Sequence, residues 1–114
     1  EKTIISEIVN AINTSNLGFV AQDTGDKIII NIPILTEERR KDLVKQVKIE
    51  VENCKISVRN ARREANDELK KLNKDGLSDD ELKTKEGEIQ ILTNNCISKV
   101  DDIFTSKEKD ILTV

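Results

Sequence analysis

Lysine and arginine are the side chains with chemistry to offer in this chain, and they fall in a pattern. Between Thr36 and Lys74, the residues Lys41, Lys45, Lys48, Lys55, Arg59, Arg63 and Lys70 recur so that, at about 100° per residue, they cluster on one face of a helix. Arg62 sits on the border of that cluster. A guanidinium presents a planar fork that can engage two phosphate oxygens at once, and an ammonium adds a compact point charge. A rigid row of such groups without aromatic neighbours can grip a phosphate backbone by charge and shape, but has little with which to read bases.

Net charge sharpens the pattern. The chain carries −3 overall, but residues 36–74 hold 12 Lys and Arg against 8 Asp and Glu, whereas residues 75–114 hold 5 against 10. Two readings follow. In one, the basic helix lies on its acidic partner and the charges pair internally; in the other, the basic stripe faces away and meets phosphates.

Other chemistries find little footing. With no histidine, neither a His-based nucleophile system nor an ordinary zinc site can be assembled, and no glycine-rich phosphate loop is present. Asp79-Asp80 reads as a helix start and Asp101-Asp102 as a solvated face. Cys54 and Cys96 both fall on apolar stripes and are expected to be buried, reduced thiols, near neighbours across a helical hairpin. No enzyme activity, cofactor or metal is expected. No apolar run reaches the ~18 residues of a membrane span, so a soluble, cytoplasmic protein that meets no membrane is expected.

The elements that would position the basic stripe can be read in order. Ile4, Ile5, Ile8 and Ile12 share one face of a short helix over residues 1–15, which should stop at Asn16-Leu17-Gly18 with Gly18 in the left-handed cap. A hairpin follows: Phe19 to Gln22, a turn at Asp23-Thr24-Gly25-Asp26, and Lys27 to Ile32. Pro33 ends the second strand. Thr36 then caps a helix reaching Lys74, whose 39 residues would make a rod of roughly 58 Å. Asp75-Gly76 closes it, and Ser78 with Glu81 has the spacing of a capping box that opens a second long helix.

The expected seam of the first long helix is Val44, Val47, Val51, Cys54, Val58, Ala61, Ala65 and Leu72, with Leu43 and Leu69 on its flanks. That of the second is Leu82, Ile89, Leu92, Cys96, Val100, Ile103 and Ile111, widened by Ile97 and Phe104. The fold class is therefore α+β: a small helix plus β-hairpin module over residues 1–33, a hinge at 34–36, and a long antiparallel helical hairpin over 37–114. A two-helix hairpin needs one narrow stripe per helix, so the widened seam calls for a third helix. The chain is accordingly expected to be part of a longer protein, with a first helix and part of the β module elsewhere, and to self-associate as a dimer through the uncovered face.

Two stretches carry a resemblance. Leu35-Thr36-Glu37-Glu38-Arg39-Arg40-Lys41-Asp42-Leu43 and Val58-Arg59-Asn60-Ala61-Arg62-Arg63-Glu64-Ala65-Asn66-Asp67 closely resemble the signature segments of ribosome recycling factor, and the remaining elements follow in that family's order. The resemblance implies a non-enzymatic translation factor. Together with elongation factor G, which hydrolyses GTP, it would split the post-termination ribosome, its helical domain lying against large-subunit rRNA. On that reading Arg59, Arg62 and Arg63 match the family's RNA-contacting arginines, to which the basic stripe adds Lys55 and Lys48 as RNA-binding residues; Arg39 and Arg40 belong to the hinge-proximal signature and complete a hinge with Pro33 and Ile34. Ile34 stands where many members have a second proline. The rival reading is a helical-hairpin adaptor that binds protein rather than RNA, its basic stripe paired with an acidic partner helix.

Overall fold

The computed structural model describes residues 1–114, which divide into two compact units, Glu1–Thr36 and Glu37–Val114. In the first, a 3₁₀ turn at Lys2–Ile4 leads into helix α1, Ile5–Thr14. α1 ends at the expected Asn16-Leu17-Gly18 segment, where Asn16 adopts φ 59° just after the helix and Gly18, expected as the left-handed residue, adopts φ 80°. Strands β1, Val20–Asp23, and β2, Ile28–Asn31, pair antiparallel with Ala21 opposite Ile30.

Two strands cannot bury much by themselves. Here α1 covers them and also closes an edge. The Asn13 side-chain oxygen accepts from the Ala21 N–H at 2.9 Å, while its amide donates to the Ala21 carbonyl at 3.3 Å. A side chain thus stands in for the missing neighbouring strand, and Ala21 is buried beneath the helix. The turn is held by the Asp23 carboxylate accepting from the Gly25 N–H at 2.7 Å and by the Thr24 N–H donating to the Lys27 carbonyl at 3.0 Å.

The second unit is a helical hairpin of α2, Glu37–Lys74, and α3, Asp79–Leu112. Thirty-eight residues give α2 a length of roughly 57 Å. Its C-terminus is a Schellman turn: Gly76 takes φ 125°, the Leu77 N–H reaches the Leu72 carbonyl at 2.9 Å, and the Gly76 N–H reaches the Asn73 carbonyl at 3.3 Å. The Asn73 amide donates onward to the Leu77 carbonyl and the Asp79 carboxylate, at 2.8 and 2.9 Å, stitching the turn to the start of α3.

The expected capping box is present. The Glu81 N–H donates to the Ser78 hydroxyl and the Ser78 N–H donates to the Glu81 carboxylate, both at 3.2 Å. The Ser78 hydroxyl also donates to that carboxylate at 2.9 Å, and these bonds hold Glu81 below the ordinary carboxylate range. At the open end, the Arg40 guanidinium donates to the Ile111 and Thr113 carbonyls at 2.5 and 3.0 Å, tying the first turn of α2 to the last of α3.

The α+β class is as expected, and most of the expected seam is buried or half-buried, but the contact also takes in polar residues and leaves five of the expected apolar ones exposed. On α2, Val44 is buried and Val47, Val51, Lys55, Val58, Arg62, Ala65, Asn66 and Leu69 are half-buried, whereas Cys54 and Ala61 are exposed and Leu72 is 54% exposed. On α3, Thr93 is buried and Leu82, Ile89, Cys96, Ile97, Val100, Phe104 and Ile111 are half-buried, while Leu92 and Ile103 are 63% and 68% exposed. The hairpin's contact thus keeps the valines of α2 and shifts on one side to admit Lys55, Arg62, Asn66 and Thr93, leaving Cys54, Ala61, Leu72, Leu92 and Ile103 outside it. Cys54, expected to be buried, is exposed; both thiols are free. No helix is long and apolar enough to cross a membrane.

Candidate nucleic-acid interface

Helical phase sorts the basic residues. With Val44 marking the direction of α3, Arg62 shares that direction, Lys55 departs from it by about 20°, and Lys48, Arg59 and Arg63 lie about 40° to 100° round on one side. Cys54, Ala61 and Leu72 lie about 80° to 100° round on the other. The hairpin consequently has two unlike faces, one basic and one apolar, on opposite sides of the seam.

The five residues picked out for phosphate contact occupy different settings. Lys48 and Arg59 are exposed and unpaired. Arg63 is exposed and donates to the Asn60 side-chain oxygen at 3.3 Å, a bond on its own helix. Lys55 is drawn into the seam, where its ammonium meets the Asp101 carboxylate of α3 at 2.6 Å and its side chain keeps 16% exposure. Arg62 is also in the seam: it donates to the Gln90 side-chain oxygen at 3.2 Å, and its Nε is buried with no partner. Of the four hinge candidates, Pro33 and Ile34 lie in irregular backbone before α2, with Ile34 95% exposed. Arg39 and Arg40 lie within α2 and are half-buried, Arg40 acting as the clamp on the α3 carbonyls.

Internal pairing does not exhaust the stripe. Lys41 meets Glu37 at 3.0 Å along α2, and Lys55 reaches across to Asp101, but Lys45, Lys48, Arg59 and Lys70 make no ion pair. Lys45 and Arg63 are separated by 18 positions, so the open row extends over about 27 Å of α2.

α3 contributes residues to this side that charge and apolar periodicity could not single out. A cleft of about 360 Å³ lies along the seam, lined by Arg59 and Arg62 of α2 and by Gln90, Thr93, Asn94, Ile97, Ser98 and Asp101 of α3. The Gln90 amide donates to the Asn94 side-chain oxygen at 2.9 Å, extending the Arg62 to Gln90 bond along the wall. The signal available in the sequence was the repeat of uncharged polar residues at 90, 94 and 98, four apart and therefore on one face of a helix.

A family model described as ribosome recycling factor matches residues 1–112 of the chain. The ribosome-recycling factor of Cytophaga hutchinsonii is 51% identical over 114 residues, covering 100% of this chain and 61% of its own length. Those of Flavobacterium johnsoniae and Macrococcus caseolyticus are 48% and 50% identical, with 61% and 62% of their own lengths covered. The chain thus spans about three-fifths of the length of the curated relatives it matches.

Proposed function

We propose, for a chain that belongs to the ribosome recycling factor family, that its helical hairpin is the RNA-gripping part of a non-enzymatic, cytoplasmic factor that recycles ribosomes after termination. The observation that carries this reading is the open row of Lys45, Lys48, Arg59 and Arg63 along one face of α2, unneutralised although α3 is acidic. Such a row binds a phosphate backbone by releasing condensed counterions, and a stiff helix presents it without the entropic cost of ordering a loop. Large-subunit rRNA, with its fixed A-form surfaces, is the partner this chemistry suits.

Elongation factor G is the second partner in this reading, acting on the smaller unit, with residues 34–36 as the hinge between residues 1–33 and the hairpin. The resemblance of residues 35–43 to the family's signature supports it. Arg40 then has a mechanical part, since a hairpin clamped at its open end transmits a push along α2 without splaying. Arg62 and Lys55 belong to the interface as residues that shape and electrostatically bias its wall.

Exposed Leu72, Leu92 and Ile103 favour a second reading, a protein-binding adaptor. Filter binding of the chain to protein-free large-subunit rRNA separates the two: salt-sensitive retention is expected of the RNA-gripping hairpin, and no retention at any salt of the adaptor.

A further inference from the structure

We infer that the cleft between Arg59, Arg62 and the polar face of α3 takes a ribose-phosphate unit of RNA, with Gln90, Asn94 and Ser98 selecting ribose over deoxyribose. This rests on the RNA-gripping reading above and adds to it which groups, on which helix, distinguish the sugar.

The cleft is bounded by two bonds across the hairpin. At one end Arg62 donates to Gln90 at 3.2 Å; at the other Lys55 meets Asp101 at 2.6 Å. Seven positions separate Lys55 from Arg62, so the space between them runs about 10 Å along α2, on the scale of one nucleotide's backbone. Its two ends differ in charge. Arg59 and the Arg62 Nε offer donors with no partner of their own, the latter already buried, so an anion gains there without displacing an internal pair. At the opposite end Lys55 and Asp101 neutralise each other and offer an anion no such gain. A phosphate therefore belongs beside Arg59, which leaves the attached sugar towards Asn94, Ser98 and Asp101.

That half of the cleft is built for a hydroxyl. The Gln90 to Asn94 bond engages the Asn94 oxygen and leaves the Asn94 amide hydrogens as donors without a partner. The Ser98 hydroxyl has no partner, and Asp101 has an oxygen to spare beyond its bond to Lys55. A ribose 2′-hydroxyl is at once donor and acceptor, and it can accept from the Asn94 amide while donating to Ser98 or Asp101. A deoxyribose leaves those groups facing a C–H. Thr93 is the buried residue of this wall, its hydroxyl donating to the Ile89 carbonyl at 2.8 Å.

The test measures binding of the 114-residue chain to a short fluorescent RNA duplex and to the DNA duplex of the same sequence, by anisotropy. Compared with them are Arg59→Ala and the double variant Asn94→Ala with Ser98→Ala, which leaves the Arg62 to Gln90 bond in place, each checked for helicity by circular dichroism. Unsubstituted chain is expected to prefer RNA. The double variant should bind RNA roughly 5- to 20-fold more weakly, the loss of one or two hydrogen bonds, while DNA binding and the salt slope stay put. Arg59→Ala should weaken both duplexes alike and lower the slope by about 0.7 to 0.9. A 2′-O-methyl RNA duplex should bind unsubstituted chain as the unmodified duplex binds the double variant, a readout that does not depend on how the variant folds. An RNA to DNA ratio unchanged in the double variant, with Arg59→Ala still weakening both, would overturn the ribose assignment and leave the RNA-gripping reading standing. If Arg59→Ala weakens neither duplex, both fall.

Discussion

Arg62 stands on the border between the basic stripe of α2 and its seam, as its helical phase in the sequence indicates. Its type and its neighbours Arg59 and Arg63 mark it as a surface contact, yet it shares the direction of Val44, and its methylenes lie in the hairpin seam with Nε buried. Substitution should therefore separate the three arginines. Arg62→Ala removes seam packing and the bond to Gln90 and is expected to cost about 1 to 2 kcal/mol in urea unfolding, whereas Arg59→Ala, exposed and unpaired, should stay within about 0.5 kcal/mol of the parent. Equal stabilities for the two variants would count against the seam position of Arg62. Loss of ribosome binding in an Arg62 variant is for this reason ambiguous, and Arg59 is the cleaner probe.

The helices show which parts of the hairpin the sequence specifies locally. Starts and stops were legible, because they are local: Ser78 and Glu81 form the capping box that their spacing announces, and Gly76 supplies the left-handed residue that ends α2. The seam was legible in part. Apolar periodicity selected Val44, Val47, Val51, Val58 and Ala65 of α2 and Leu82, Ile89, Cys96, Val100 and Ile111 of α3, all buried or half-buried, but it also selected Cys54, Ala61, Leu72, Leu92 and Ile103, all exposed, and passed over Lys55, Arg62, Asn66 and Thr93, which the contact admits. A helix with two stripes does not state which one its nearest partner takes. Likewise the Asn13 bridge to Ala21 was invisible, since an exposed asparagine on a helix carries no periodic signature.

Two predictions belong to the elements. Folding lowers the Glu81 pKa from 4.5, so its contribution is present above the unfolded value and is lost as pH falls through the folded one. The difference in thermal midpoint between the parent and Glu81→Gln should accordingly be largest above about pH 5 and shrink steadily below about pH 4; a difference independent of pH would remove the carboxylate's role. Gly87 lies inside α3 with open space where a Cβ would stand. Gly87→Ala should stabilise the hairpin by about 0.5 to 1 kcal/mol, read as an upward shift in the urea midpoint, and a destabilisation would show that this stretch needs glycine's backbone freedom.

For the molecule as a whole, the two unlike faces of the hairpin imply two kinds of partner. The basic face meets RNA in the proposed reading. The apolar one, with Leu72, Leu92 and Ile103 between 54% and 68% exposed, is expected to drive self-association of the 114-residue chain, two hairpins docking into a four-helix arrangement. Sedimentation equilibrium at tens of micromolar should then report a mass above 12.9 kDa that falls on Leu92→Lys with Ile103→Lys. A single species of 12.9 kDa across that range would contradict it.

The central claim, that the open basic row of α2 is a phosphate-gripping face of a ribosome-binding factor, is tested most directly by the salt dependence of binding to purified large ribosomal subunits. Association constants of the parent chain, Lys48→Ala and Arg59→Ala would be measured across a range of potassium chloride concentrations. Binding should weaken linearly on a double-logarithmic plot, with each substitution reducing the magnitude of the slope by about 0.7 to 0.9. Binding that ignores salt, or slopes identical for all three proteins, would contradict it.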